Sequence, residues 1–349
     1  MSEIFDLNDW QEQQWLNTGG TRNKKIYLSP NGEEYFFKQS YNKGLKNYTY
    51  EFWSEIIASE IGKLCGLNML QYDLAFRGDL VGCISKSMLI NEKEGLVEGG
   101  RLIQSFDNTF NPDDRKLRSQ YNFDLITNTF AAFHLEKYIP NIIDVIVFDA
   151  LIGNSDRHQE NWAIIVQNSS LSKPFDEIEK AITDSKSSWF EKWISSFYKD
   201  DKSKALKADI QLARLSLSKN HRFAPIYDSG CSFGRELTSD KVQSMLTDKL
   251  QFESYVNRGQ SEIHWNQEKI GHFQLVRNLY KDERLRQRIV NLIQRISTGF
   301  TETHLHKIVD LMDRQLPEKF ETSKIPEDRK ELIVKLVTLR QKKLIEIIQ

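Results

Sequence analysis

The feature that most constrains the fold of this 349-residue chain is a polar segment enclosed by two apolar runs. The segment GNSDRHQENW, residues 153–162, follows the run IIDVIVFDALI and precedes AIIV. The first run has the length of a buried helix, and the second has the length of a buried strand. A polar loop between two buried elements can hold its side chains rigidly and still leave them open to a cleft. We therefore expect this loop to be held by buried elements and to line a cleft.

The rest of the sequence divides into a strand-rich part and a helix-rich part. The runs KIYLS and EYFFK flank Ser-Pro-Asn-Gly, which predicts a β-hairpin. Beyond about residue 100, apolar residues recur mostly at helical spacing. We predict strands at Lys25–Ser29, Glu34–Lys38, Leu70–Leu74, Leu80–Ser85 and Trp162–Val166, and helices at Tyr50–Cys65, Asn141–Ile152 and Pro326–Gln349. The length and this pattern suit either one large bilobal α+β unit or two domains, with a small antiparallel-sheet lobe at residues 1–90 and a larger, mainly helical lobe at residues 91–349.

Charge, cysteine content and hydropathy argue against several classes of protein. The chain has 48 Lys and Arg against 49 Asp and Glu, so it lacks the basic excess of a nucleic-acid-binding protein. Cys65, Cys83 and Cys231 have neither metal-site spacing nor the number that a disulfide framework needs. The N-terminus MSEIFDLNDW lacks the features of a signal peptide, and no apolar run is long enough to span a bilayer. We expect a cytosolic protein with no membrane span and no direct nucleic-acid partner.

The polar loop carries Asp156 and, five residues later, Asn161. In phosphoryl-transfer enzymes of the protein-kinase type, an Asp orients the acceptor hydroxyl and an Asn at this spacing binds Mg²⁺. A short loop can turn the first side chain to the attacking oxygen and the second back to the metal. The spacing alone is common in long chains, so its weight depends on the other elements. His158, between the two, is better suited to holding the loop through ring hydrogen bonds than to taking a proton from substrate.

A second carboxylate, Asp228, follows the short apolar run Ala224–Tyr227 and precedes Ser-Gly. A carboxylate at the end of a short strand, followed by a permissive glycine, is typical of the metal-binding Asp of kinases. Mg²⁺ prefers hard oxygen ligands and needs only one or two protein ligands beside phosphate oxygens. Asn161 and Asp228 together meet that need.

Lys38 ends the predicted strand EYFFK. A lysine at such a place can pair with the α- and β-phosphates of ATP when an acidic residue on the following helix holds it. Two candidates, Glu51 and Glu55, lie one turn apart on the same face of the predicted helix. The residues alone leave the choice between them open.

The loop before the hairpin contains Gly19, Gly20 and Thr21. Its glycines would let backbone N–H groups approach phosphate oxygens. By itself a Gly-Gly turn is weak evidence, because most such turns only reverse the chain. The hydroxyls of Thr18 and Thr21 would lie beside this phosphate site, so autophosphorylation in the loop is a further hypothesis.

These elements, in this order, resemble the HipA-like bacterial Ser/Thr kinases. The resemblance is greater to the short, stand-alone kinases of the CtkA type, which are distantly similar to phosphatidylinositol 3/4-kinases. It covers roughly residues 17–240 and is carried by GNSDRHQENW and APIYDSG. It implies a bilobal α+β, protein-kinase-like fold whose small lobe binds ATP. By this resemblance, the catalytic residues are Asp156 and His158, and the Mg²⁺ ligands are Asn161 and Asp228. The residues that bind ATP are Gly19, Gly20, Thr21, Lys38 and Glu55. The resemblance favours Glu55 over Glu51.

The resemblance implies ATP- and Mg²⁺-dependent transfer of the γ-phosphoryl group to a Ser or Thr hydroxyl of a protein. The same core chemistry would serve a small-molecule or phosphoinositide kinase, and a catalytically silent nucleotide-binding module is the alternative from another class. The biological settings implied are a bacterial toxin or an effector secreted into a host cell.

One stretch departs from the pattern of the family. The family crosses the gap between Asn161 and Asp228 with a short hairpin, whereas this chain has an insertion at about residues 168–220. Its aromatic residues favour a small local core over a binding surface, and a regulatory or substrate-docking role is left open. We expect the chain to lack room for the extra N-terminal domain of full-length HipA toxins. A regulatory partner or antitoxin is therefore an open expectation, and the same DNA-binding antitoxin is not assumed.

Overall fold

The predicted hairpin around Ser29 and Gly32 is present in the computed structural model. Gly32 has a φ of 77°, in the left-handed region that glycine adopts without strain. Its N–H donates to the Ser29 carbonyl at 2.8 Å. The two strands pair with Lys24 opposite Lys38. The turn therefore fixes the register that places Lys38 at the end of its strand.

The structure describes residues 3–13, 24–40, 42–43, 46–91, 93–111, 114, 119–167, 220–314 and 316–349. Its strands are β1 (Ile4–Asp6), β2 (Gln11–Glu12), β3 (Lys24–Leu28), β4 (Glu34–Lys38), β5 (Asn42–Lys43), β6 (Lys46–Asn47), β7 (Asp73–Arg77), β8 (Leu80–Lys86), β9 (Glu94–Glu98), β10 (Ala163–Gln167) and β11 (His221–Phe223). Its α-helices are α1 (Glu51–Leu64), α2 (Gly99–Phe106), α3 (Phe123–Ala132), α4 (Ile139–Ile152), α5 (Ser239–Thr247), α6 (Lys249–Arg258), α7 (His272–Lys281), α8 (Glu283–Gly299), α9 (Glu302–Met312) and α10 (Glu327–Ile348).

The described residues form two compact units, each made of segments that are separate in the chain. The first unit is drawn from Met1–Met88, Ile139–His158 and Pro225–Gln349, and the second from Leu89–Tyr138 and Gln159–Ala224. The division into an ATP-binding lobe at residues 1–90 and a helical catalytic lobe at residues 91–349 stays a prediction. The predicted insertion lies almost wholly outside the described residues.

The first unit contains a six-stranded sheet in the order β1-β7-β8-β4-β3-β2. β1 pairs with β7 in parallel, and the other neighbours in the sheet are antiparallel. Its apolar cluster is formed by Leu7, Tyr27, Phe37, Ala75 and Ile84. Because side chains alternate along a strand, Lys38 points to the face opposite Phe37 and the cluster.

Helix α1 packs against β8 of this sheet. Of its apolar residues at helical spacing, Phe52, Ile56, Ile57 and Ile61 are buried. Leu64, which has the same spacing, is 42% exposed. The same helix also buries two acidic side chains, Glu51 and Glu55. Buried carboxylates need partners, so α1 must face cationic or hydrogen-bonding groups.

Helix α4, the predicted apolar helix, packs against α7, α8 and α10. Its residues from Ile142 to Ile152 are all buried, which explains why the sequence shows no polar face. The buried Asp144 is bound by Arg288 of α8, whose Nε lies 2.9 Å from Oδ1. Gly153 follows the helix with a φ of 72° and starts the polar loop.

One strand lies further along the chain than predicted. The expected strand was Leu70–Leu74, whereas β7 spans Asp73–Arg77. Leu70 has a different partner: its N–H donates to the carbonyl of Ile226 at 2.9 Å. The apolar run before β7 is therefore used to anchor the segment that leads to Asp228.

The second unit contains the antiparallel sheet β11-β10-β9 together with α2 and α3. Trp162, just before β10, is buried, and its Nε1 donates to the hydroxyl of Tyr121 at 2.8 Å. Its ring is parallel to that of Phe223. A Cβ at Gly99 would lie 2.2 Å from the indole, so only glycine fits beneath this ring.

A mainly antiparallel sheet with helices segregated from it confirms the predicted α+β class. Within the described ranges, every helix is too short or too polar to cross a lipid bilayer.

The pH dependence of stability should reflect His272, at the start of α7. This side chain is 2% exposed, and burial, together with the charges of Arg340 and Lys269, holds its pKa well below 6.5. The unfolded chain takes up the proton below about pH 6.5, whereas the folded chain does not. The free energy of unfolding therefore decreases as the pH falls below about 6.5. At pH 5.5, His272 should lower it by about 1.4 kcal/mol relative to its value at high pH. Urea unfolding at pH 7.5 and 5.5 measures it.

His272→Phe should flatten this dependence, because the variant has no proton to take up at that position. His306→Phe is the matched control at an exposed position of α9, and it should keep the wild-type slope. His264, whose pKa burial also lowers, keeps part of the slope in both variants. Equal slopes for His272→Phe and the wild type would contradict the assignment.

Candidate active site

Lys38 is a buried cation held between two carboxylates. It is 5% exposed, and its Nζ donates to Glu55 Oε1 and to Asp228 Oδ1, the latter at 2.6 Å. Desolvating an ammonium group is costly unless opposite charges compensate for it. Glu55 and Asp228 therefore fix the position of the Lys38 ammonium group at the end of β4.

Glu55 of α1 joins the lysine to the segment that follows Asp228. One of its oxygens accepts from Lys38, and Oε2 accepts the backbone N–H of Ser229 at 2.7 Å. Burial raises the pKa of Glu55, and the negative charge of Asp228 adds to this, while Lys38 acts in the opposite direction. The other acidic candidate, Glu51, pairs with Arg235 Nη1 at 3.2 Å. The structure thus brings Glu55, rather than Glu51, to Lys38.

Asp228 has a φ of 54°, a conformation that few residues other than glycine adopt. The preceding segment is fixed by the N–H of Ile226, which donates to the Asn68 carbonyl at 2.8 Å. The N–H of Asp228 itself donates to the hydroxyl of Tyr72 at 3.4 Å. Its carboxylate is 21% exposed. A partly exposed carboxylate beside a buried ammonium group suits a site for Mg²⁺ and phosphate, because it supplies a hard oxygen ligand that solvent can reach.

The polar loop is held by Arg157 and Asp149. The guanidinium makes a two-pronged contact with Asp149, Nε to Oδ2 and Nη2 to Oδ1, each at 2.9 Å. The same side chain donates to the carbonyl of Tyr227 and, at 3.3 Å, to Ser229 Oγ. Arg157 therefore ties the polar loop to the residues on both sides of Asp228.

Asp149 lies in α4, and its side chain is buried. Its carboxylate binds two side chains, those of Arg157 and of Asn154, whose Nδ2 lies 3.0 Å from Oδ1. Arg157 itself was missed. The available signal was an arginine eight residues after an aspartate that lies in an otherwise apolar helix, since a buried carboxylate there needs a cation.

Asp156 is half-buried and is oriented from two sides. Its N–H donates to Asn154 Oδ1 at 3.2 Å, and its Oδ2 lies 3.2 Å from Cys231 Sγ. Cys231 follows Asp228 by three residues, so Asp156 is linked through one side chain to the same segment. His158 is also half-buried in this loop, and its role stays a prediction.

The roles of the remaining predicted residues stay predictions. Asn161 is buried and belongs to the second unit. That it shares a metal ion with Asp228 stays a prediction. Gly19, Gly20 and Thr21 lie outside the described residues. In the described part of the chain, His, Cys, Asp and Glu form no group of three or more with metal-binding geometry.

Close backbone packing behind Lys38 gives a testable prediction. A Cβ at Gly82 of β8 would lie 2.3 Å from the Lys38 carbonyl oxygen. We expect Gly82→Ala to displace the end of β4, to destabilise the fold by about 1–3 kcal/mol and to weaken nucleotide binding. Urea unfolding and calorimetric nucleotide titration measure the two effects.

The matched control is Gly271→Ala. A Cβ at that position would meet its nearest neighbour at an ordinary 3.6 Å, so stability and binding should change little. If both variants behaved alike, close packing against Lys38 would not be the cause.

The described fold is similar to that of a solved kinase. The crystal structure of the Helicobacter pylori proinflammatory kinase CtkA matches with a TM-score of 0.71 and 18% sequence identity, over 99% of this chain and 96% of that one. HipA of the Shewanella oneidensis MR-1 toxin–antitoxin system, solved with HipB and operator DNA, matches with a TM-score of 0.46 and 11% identity, over 97% and 66% of the two chains. No protein-family profile matches the chain, and no curated protein sequence is significantly similar to it. The predicted likeness to CtkA-type kinases is thus confirmed at the level of the fold, and the chain has the fold of the kinase CtkA.

Proposed function

We propose that the protein is a Mg²⁺- and ATP-dependent kinase that transfers the γ-phosphoryl group to a Ser or Thr hydroxyl of a protein. The observation that carries the proposal is the buried cluster in which Lys38 contacts both Glu55 and Asp228. A structural ion pair needs only one acid for one lysine. A lysine held by two acids, one of them partly exposed, suits a site that binds negatively charged phosphate and its cation.

The contacts of Lys38 with Glu55 and Asp228 support the following assignment of roles. Lys38, steadied by Glu55, orients the α- and β-phosphates, and Asp156 orients the acceptor hydroxyl. Asp228 and Asn161 are the proposed Mg²⁺ ligands, and the bound ion would neutralise charge on the phosphates. In such a site catalysis comes mainly from positioning and charge compensation. Retention of Lys38, Asp156, Asn161 and Asp228 in one chain argues against a silent nucleotide-binding module.

The test is incubation of the protein with γ-labelled ATP, Mg²⁺ and a bacterial or host-cell lysate, followed by mapping of the phosphorylated sites. Asp156→Ala is the control, because it removes the group that orients the acceptor. Phosphate on Ser or Thr of lysate proteins with the wild type alone supports the proposal. Transfer only to small molecules or phosphoinositides would move the assignment to that substrate class, and nucleotide binding without any transfer would favour the silent module.

Autophosphorylation is a separate, smaller proposal. Thr18 and Thr21 stand beside the proposed phosphate-binding glycines in the sequence and lie outside the described residues. Mass spectrometry after incubation with Mg-ATP should find phosphate within residues 17–25 of the wild type and none in Asp156→Ala. An unmodified wild-type peptide after full ATP turnover would end this hypothesis. A cytosolic or secreted-effector setting and an antitoxin-like partner stay predictions.

A further inference from the structure

Cys231 lies on a rigid segment beside the proposed catalytic loop. The next residue, Ser232, donates its hydroxyl to the Ser229 carbonyl at 2.7 Å. After it, the N–H of Phe233 donates to the carbonyl of Ile152, at the end of α4, at 3.2 Å. Ser232 and Phe233 are both buried. The backbone on the C-terminal side of Cys231 is thus bonded to α4, the helix from which the polar loop starts. These bonds fix the position of the Cys231 backbone relative to that loop.

The described contacts of the thiol include two polar groups of opposite kind. Arg235 Nη2 lies 2.8 Å from its sulfur, and Asp156 Oδ2 lies 3.2 Å from it. A guanidinium group can only donate, and an ionised carboxylate can only accept. The sulfur must therefore accept from Arg235 and direct its own proton to Asp156. Among Arg235, Cys231 and Asp156, the hydrogen bonds thus run in one direction, from the guanidinium to the sulfur and from the thiol to the carboxylate.

Arg235 is itself held in place. Its Nη1 pairs with Glu51 Oε2 at 3.2 Å, and its guanidinium carbon lies 4.0 Å from the ring centroid of Tyr48. The Glu51 side chain is completely buried on α1, the helix that also carries Glu55. A continuous chain of contacts thus runs from α1 through Arg235 and Cys231 to Asp156.

We propose that Cys231 is a positioning residue for Asp156: its thiol proton holds the carboxylate, and a group placed on the sulfur releases it. The inference rests on the proposed function of Asp156. Cys231 is not itself catalytic, because it acts on substrate only through that carboxylate. Glu51, which the sequence left as an alternative partner of Lys38, acquires a role in this chain as the anchor of Arg235.

The three thiols differ in their reactivity towards a capping reagent. Cys65 and Cys83 are 1% and 0% exposed. Burial raises the pKa of Cys65 to about 12 and that of Cys83 well above its usual value. Cys231 is half-buried and lies beside a guanidinium group. Because the other two thiols are buried and their pKa values are raised, Cys231 should be the thiol that reacts first in the folded protein.

Methyl methanethiosulfonate provides the chemistry for the test. The cysteine S–H bond and the S–S bond of the reagent break, a new S–S bond joins the cysteine sulfur to the methylthio group, and methanesulfinic acid leaves with the proton. The modified sulfur has no proton to donate to Asp156. Dithiothreitol reduces the mixed disulfide and restores the thiol.

The activity arm uses Cys231→Ala and Cys231→Ser, with kcat and KM for ATP measured separately. Loss of a hydrogen bond to a charged group should lower kcat of Cys231→Ala roughly tenfold or more, with KM for ATP changed by less than about twofold. Cys231→Ser keeps a proton donor and should lie within about threefold of the wild type. The reagent should inactivate the wild type reversibly and leave Cys231→Ser unaffected. A wild-type kcat in Cys231→Ala, or equal sensitivity of Cys231→Ser to the reagent, would overturn the proposal.

A second arm does not depend on kinase activity. The rate at which the reagent labels Cys231, followed by mass spectrometry, should rise at least about fivefold in Asp156→Asn, because the carboxylate that opposes thiolate formation is gone. It should fall by a similar factor in Arg235→Gln. Unchanged labelling rates would show that the three groups do not interact. If the rates change as expected and the wild type transfers no phosphate, the contact is real and the proposed function is what fails.

Discussion

Asp228→Asn should lower phosphoryl transfer by on the order of 10³-fold, because it removes a charge from the proposed metal site. The substitution keeps the shape of the side chain and leaves the contact between Lys38 and Glu55 in place. An amide oxygen is a weaker ligand for Mg²⁺ than a carboxylate, and it does not balance the lysine charge. The rate of transfer from γ-labelled ATP to a mixed protein acceptor measures the effect.

The matched control for this prediction is Asp240→Asn, at an exposed position of α5. It changes the net charge by the same amount and should leave the transfer rate unchanged. Circular dichroism and thermal melting should show both variants to be folded. Full activity of Asp228→Asn, measured at saturating Mg-ATP, would remove Asp228 from the metal site.

Arg157→Met should be the most destabilising single substitution near the site, at about 3–5 kcal/mol. Arg157 is 1% exposed and Asp149 is 3% exposed. Loss of the guanidinium leaves a buried carboxylate without its cation and removes the contacts with Tyr227 and Ser229. We expect the polar loop to lose its position and phosphoryl transfer to be lost with it. Urea unfolding at pH 7 measures the free energy.

Two comparisons separate the buried charge from a general effect of losing arginine. Arg284→Met removes a guanidinium whose side chain is 86% exposed, and it should leave the midpoint of the urea transition unchanged. The double variant Asp149→Asn with Arg157→Met should recover part of the lost stability, because no unpaired charge then remains buried. A double variant as unstable as the sum of the two single ones would mean that the two side chains do not act as a pair.

Local sequence patterns were sufficient for the elements that place Lys38. The hairpin follows from a Pro-Asn-Gly turn between two β-prone runs, and α1 follows from apolar residues at helical spacing. Both are present close to their predicted bounds. The sequence also narrowed the partner of Lys38 to two glutamates on one helix. It could not choose between them from residues alone, because the rotation of α1 over the sheet depends on its packing against β8.

Contacts between distant parts of the chain could not be predicted. Tyr72 lies near Asp228 only because the run after α1 bonds to the segment around Ile226 instead of forming a strand. Likewise, Arg235 meets Glu51 across nearly two hundred residues of sequence. Neither pair has a local signal in a single sequence. The composition of the first unit, which joins residues from both ends of the chain, depends on the same long-range packing.

The central claim is that the cluster of Lys38, Glu55 and Asp228 binds the phosphates of a nucleotide together with Mg²⁺. Calorimetric titration with a non-hydrolysable ATP analogue, with and without Mg²⁺, tests it most directly. The account predicts binding that is strengthened by Mg²⁺ in the wild type, loses that dependence in Asp228→Asn and weakens at least about tenfold in Lys38→Met. Equal affinity in the folded wild type and Lys38→Met, with or without Mg²⁺, would contradict it.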